Sequence, residues 1–76
     1  GINERQAQII QWVNEEPNKI ITAREVETWF GIANQTARND LQGLMDLKLL
    51  ELRQVNKKLR VYVRTADFDE QTKKLK

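Results

Sequence analysis

The chain has 76 residues, 39% hydrophobic and 32% charged, with mean hydropathy −0.69 and a formal net charge of +2. At this length only about 60% of the unfolded chain's surface can be buried, which suits one small domain and leaves no room for an internal catalytic cavity. Cys, His and Ser are absent, removing disulfides, thiolate or imidazole metal sites and the usual nucleophile–base pairs. No apolar run approaches a membrane span or a signal-peptide core. A cytoplasmic, non-enzymatic domain without a cofactor is the expectation, and Gly1 in place of methionine reads as the scar of a cleaved tag on an excised fragment.

The first helix is predicted from about Asn3, its cap, to Val13 or Asn14. Ile2, Gln6, Ile9, Ile10 and Val13 fall on one stripe. Glu16-Pro17-Asn18 stops it, because proline lacks a donor and disfavours helix in the residue before it. Ile20-Ile21 reads as a very short extended segment.

Thr22-Ala23-Arg24-Glu25 fits a capping box, with Ile21 and Val26 placed as a hydrophobic staple. A second helix therefore spans 23–30, turning Val26, Trp29 and Phe30 inward, and Gly31 ends it in a left-handed conformation. Ala33 or Asn34 opens a third helix to about Leu47, with Ala37, Leu41, Leu44 and Met45 as its apolar stripe. Gln35, Arg38, Asn39 and Gln42 cluster on a different side of it.

After Lys48 the period changes from helical to alternating. Leu50–Val55 and Leu59–Arg64 read as two strands, joined by an Asn56-Lys57-Lys58 turn. The expected register sets Leu52 against Val63, Glu51 against Arg64 and Arg53 against Tyr62. Residues 1–66 form the predicted domain, and 67–76 a polar tail or short helix in which Phe68 and Leu75 touch the body.

This order of elements is that of an α+β winged helix: three helices with a helix-turn-helix, a short strand, and a two-stranded antiparallel hairpin as the wing. The third helix can lie in the major groove, where arginine suits guanine and asparagine or glutamine suits adenine. Gln35, Arg38, Asn39 and Gln42 are those side-chain types. Residues 1–33 carry three basic side chains against five acidic, whereas 34–66 carry seven against three. The hairpin holds Arg53, Lys57, Lys58 and Arg60 with no acid between 52 and 66, the composition of a ribbon lying along phosphates. The helix start at Asn34 offers free amide donors to a phosphate. Asp40 stands beside this face and is expected to turn toward protein donors, while Trp12 and Trp29 are expected in the core.

Residues 29–41, Trp-Phe-Gly-Ile-Ala-Asn-Gln-Thr-Ala-Arg-Asn-Asp-Leu, with Leu44 and Leu49-Leu50 following, resemble the helix-turn-helix of DeoR-type bacterial regulators. Thr36-Ala37 and Glu27 also resemble the winged-helix segments at the C-terminal end of Fic (filamentation induced by cAMP) proteins. The resemblance implies DNA contacts from Thr36 and Arg38, with Gln35 and Asn39 nearby, in a bacterial, cytoplasmic setting. Three positions depart from the pattern. Ala33 replaces a capping serine, so that cap is lost or passes to Asn34. Asn39 replaces a second arginine. Lys48 replaces a glycine, requiring either a left-handed lysine or a different helix end.

The leading expectation is a double-stranded DNA-binding module, with 34–42 reading bases and 53–60 holding the backbone. The alternative is a winged helix for protein contact, either a homodimer or a neighbouring domain such as a Fic-like catalytic core. There Trp12, Tyr62 or Phe68 would supply the adhesive surface.

Overall fold

The computed structural model describes residues 2–74 and runs α1 (Glu4–Glu15), α2 (Ala23–Phe30), α3 (Asn34–Asp46), β1 (Leu50–Gln54), β2 (Arg60–Arg64) and α4 (Phe68–Lys73). It is a small α+β winged helix carrying a fourth helix after the wing. None of the helices among these residues is long and apolar enough to cross a membrane.

Each helix starts and stops for a local reason. Asn3 caps α1 by accepting from the Gln6 amide at 2.7 Å, and the Gln6 side chain accepts from the Asn3 amide at 3.0 Å, a complete capping box. Thr22 caps α2 by accepting from the Glu25 amide at 3.2 Å. The reciprocal half differs from expectation: the Thr22 hydroxyl itself donates to the Glu25 carboxylate at 3.3 Å. Gly31, at φ +62°, supplies the left-handed residue that turns the chain from α2 into α3.

The end of α3 resolves the Lys48 question in favour of a left-handed lysine, at φ +64°. Lys48 N–H donates to the Met45 carbonyl at 2.9 Å and Leu49 N–H to the Leu44 carbonyl at 3.0 Å, which is a Schellman motif with lysine where glycine is usual. Leu44 and Leu49, its apolar pair, are both fully buried.

Ile9, Val13, Ile21, Val26, Ala37, Leu41, Leu44, Leu49, Leu50 and Phe68 form the core. Ile21 and Val26 are both wholly buried, as the staple requires. Trp29 departs from the expected inward placement. It is 38% exposed and meets Trp12 edge-on, with ring centroids 4.3 Å apart. An eight-residue helix with Val26 at its buried centre has too little inward face for an indole at its last turn. Phe68 is fully enclosed and anchors α4; Leu75 lies outside the described residues.

The hairpin register also differs from expectation by one residue. Leu50 opposes Arg64, Glu51 Val63, Leu52 Tyr62, Arg53 Val61 and Gln54 Arg60. The turn explains it. Val55 N–H donates to the Leu59 carbonyl at 2.9 Å, leaving Asn56-Lys57-Lys58 as a three-residue loop, and a loop of odd length cannot set Leu52 against Val63. Asn56 Oδ1 accepts from the Lys58 and Leu59 amides, each at 2.9 Å, so its side chain organises the turn without glycine.

Candidate nucleic-acid interface

The wing is tied to the helices at one point. Ile21 and Tyr62 exchange backbone hydrogen bonds, Ile21 N–H to Tyr62 carbonyl at 2.9 Å and Tyr62 N–H to Ile21 carbonyl at 2.7 Å. Ile21 lies two residues before α2, so this isolated bridge sets β2 beside the start of α2. Between them runs a groove of about 470 Å³ lined by Ala23, Asn34, Arg38, Lys57, Lys58, Arg60 and Tyr62. Four of those side chains are cationic and none is acidic. A low-lying channel lined by one sign of charge concentrates its field on an anion.

The outward side of α3 is as its spacing requires: Gln35, Arg38, Asn39 and Gln42 are all exposed, and Ala37, Leu41 and Leu44 on the other side are wholly buried. Arg38 reaches the groove, while Gln35, Asn39 and Gln42 continue the polar face outside it. Gln35 donates to Asn39 Oδ1 at 2.9 Å and Gln42 to Asp46 Oδ1 at 3.0 Å, each one turn along the helix. Thr36 is half-buried, set between the polar and apolar sides.

Asp40 would oppose phosphate in the middle of this helix, and it is turned inward, 4% exposed; the exposed Asp46 sits at the far end of α3, held by Gln42. Its carboxylate accepts from Arg5 Nε at 2.6 Å and Asn3 Nδ2 at 2.8 Å. Burial by itself raises the Asp40 carboxyl; the hydrogen bonds from Arg5 and Asn3, with the Arg5 charge, outweigh it and hold the group below the usual carboxylate value. The Arg5 guanidinium is correspondingly raised, chiefly by its hydrogen bond to Asp40.

Not every expected residue joins this surface in the expected way. Arg53 is on the strand face that carries Val61 and lies outside the groove, its guanidinium paired with Glu51 at 2.8 Å. Register is the reason: with Glu51 opposite Val63 instead of Arg64, its nearest cation is two residues along its own strand. Arg64 turns instead to Asp69 at 3.3 Å and lies over the Phe68 ring. Asn34 lines the groove, but its side chain donates to Glu27 at 2.9 Å and α3 has no side-chain cap, so the missing serine is not replaced. Of the three aromatics expected for protein contact, Phe68 is enclosed and Tyr62 lines the basic groove; Trp12, with Trp29, alone remains available.

Two residues of this region carried no such signal in the sequence. Tyr62 reaches the groove because it shares a strand face with Arg60 and bonds to Ile21, and Ala23 because that bridge draws the start of α2 to the wing.

Residues 5–58 match the family described as the DeoR-like helix-turn-helix domain. No curated protein matches the chain in sequence. Among solved structures, the ST1889 protein from the thermoacidophilic archaeon Sulfolobus tokodaii is similar with a TM-score of 0.76 at 20% identity, over 96% of this chain and 71% of its own. The complex structure of hsRosR-S1 is similar with a TM-score of 0.67 at 24% identity, over 97% of this chain and 70% of its own. At these identities the likeness is one of fold.

Proposed function

We propose that this chain, which belongs to the DeoR-like helix-turn-helix domain family, binds double-stranded DNA with α3 in the major groove and the wing on the backbone. One observation carries the reading. The exposed amide and guanidinium face of α3 runs directly into an acid-free groove with four cations, and the intervening acid, Asp40, is folded inward. Base edges in the major groove present the acceptors and donors that Gln35, Arg38, Asn39 and Gln42 complement. Lys57, Lys58 and Arg60 are the backbone contacts, and counterion release makes their contribution steeply salt-dependent. Thr36 and Asn34, at the start of α3, complete the surface; Arg53 is assigned to the outer flank of the wing.

The larger setting we assign is a bacterial, cytoplasmic transcription regulator or a Fic-family protein of which this domain is a part. The support for it is the resemblance at residues 29–41 together with Glu27.

Fluorescence anisotropy with a labelled random-sequence duplex at several salt concentrations tests the reading. Binding that weakens linearly in log–log form with salt supports it. The second reading is protein contact, with a partner chain or a neighbouring Fic-like catalytic domain, and it is favoured by the exposed Trp29 edge against Trp12. That reading predicts no salt-dependent duplex binding and a change in tryptophan emission on association.

A further inference from the structure

We propose that Gln35 reads an adenine and that Asn39 is the positioning residue that makes it do so. The inference rests on the DNA-binding reading and assigns the base-selecting chemistry within it.

The observation is a side-chain hydrogen bond one turn apart on the exposed side of α3: Gln35 Nε2 donates to Asn39 Oδ1 at 2.9 Å. A glutamine amide has two N–H bonds, one on the same side as its oxygen and one opposite. Two parallel hydrogen bonds to the adenine edge use the oxygen, which accepts from N6, and the N–H beside it, which donates to N7. The other N–H takes no part in that pair. When Asn39 accepts it, the amide is fixed in its plane with an acceptor and a donor still free.

Reversing the bond would crowd the acceptor that adenine needs. If Asn39 donated to Gln35, it would compete with adenine N6 for the glutamine oxygen, whereas accepting from the outer N–H leaves both groups of the adenine pair free. A carboxylate accepts the same kind of bond elsewhere on α3. At the same four-residue spacing, Gln42 Nε2 donates to Asp46 Oδ1 at 3.0 Å. Fixing a side chain before contact lowers the ordering cost of binding, and Gln35 lies in the first turn of α3, the part of such a helix that meets base edges.

The test is selection from a randomised duplex pool by wild type, Gln35→Ala, Asn39→Ala and Asn39→Asp, with salt-dependent affinity measured for each selected duplex. Wild type should prefer adenine at one base pair by about tenfold, a preference that Gln35→Ala abolishes. Asn39→Ala should weaken the same preference severalfold and leave the salt slope unchanged. Asn39→Asp keeps the acceptor and adds a charge, so it should weaken binding to all duplexes alike while retaining adenine at that base pair. Guanine at the Gln35-dependent position overturns the proposal. So does an Asn39→Ala change confined to a different base pair, or equal loss of selectivity in Asn39→Ala and Asn39→Asp. If these outcomes arise while salt-dependent binding persists, the inference fails and the DNA-binding reading stands; absence of duplex binding in folded wild type removes both.

Discussion

The Arg5 guanidinium donates to the Asp40 carboxylate from Nε to Oδ2 at 2.6 Å, joining the first turn of α1 to the middle of α3 across 35 residues of sequence. This contact fixes how α3 is rotated. With Asp40 drawn inward beside Ala37, Leu41 and Leu44, the polar residues between them can only face out.

Asp40 makes stability depend on pH with a definite sign. Its folded-state pKa lies below its ordinary value of 3.8, so its charge contributes stability at neutral pH that is lost as pH falls through the folded value. The melting temperature of wild type should decline below about pH 4. Asp40→Asn should melt lower than wild type at pH 7, with the gap narrowing toward pH 2; a gap independent of pH refutes the linkage.

Gly43 should not tolerate a methyl group. A Cβ there would collide with the Gln6 amide nitrogen, which donates to the Asp40 carbonyl at 3.0 Å. Alanine gains about 1 kcal/mol in helix propensity, but displacing Gln6 breaks the α1 capping box and takes the buried Gln6 amide off the Asp40 carbonyl, at about 1–3 kcal/mol. Gly43→Ala should therefore be destabilising by about 1 kcal/mol in urea unfolding, and much of that loss should vanish in a Gln6→Ala background.

Lys48→Gly should stabilise. The left-handed φ of +64° strains a lysine by about 1–2 kcal/mol, partly offset by the greater unfolded-state freedom of glycine. A net gain of about 0.5–1 kcal/mol, or a melting temperature raised by about 2–8 °C, is expected. A lowered melting point would show that lysine contributes contacts here that outweigh its backbone strain.

Arg38 and the wing-tip lysines should separate in binding. Arg38→Ala should relax base preference, with about 1–3 kcal/mol lost on a preferred duplex and less on a random one. Lys57→Ala and Lys58→Ala should weaken all duplexes about equally, and each should reduce the salt slope by about one. Competition anisotropy at two salt concentrations distinguishes the two patterns.

How far the sequence carries these conclusions depends on which interactions are local. Helix limits were legible because Asn3, Thr22, Pro17 and Gly31 act on their own neighbours, and the inward turn of Asp40 followed from the phosphate it would otherwise repel. The hairpin register was within reach: a three-residue turn at 56–58 already implies Leu52 opposite Tyr62. Trp29 was misplaced because helical spacing gives direction but not the depth of core behind it. The groove was the least visible feature, since Arg38, Lys57 and Tyr62 meet only through the Ile21–Tyr62 bridge, a contact with no sequence signature. The double role of Gln6, capping one helix and bonding to the Asp40 carbonyl on another, was hidden for the same reason.

The most direct test follows backbone amide chemical shifts of the labelled chain as a random-sequence duplex is added at low salt. The account predicts shifts concentrated at residues 34–42 and 56–60, with the Trp12 and Trp29 indole signals unmoved. Shifts centred on those two indoles, or none at duplex concentrations well above the protein's, would contradict it.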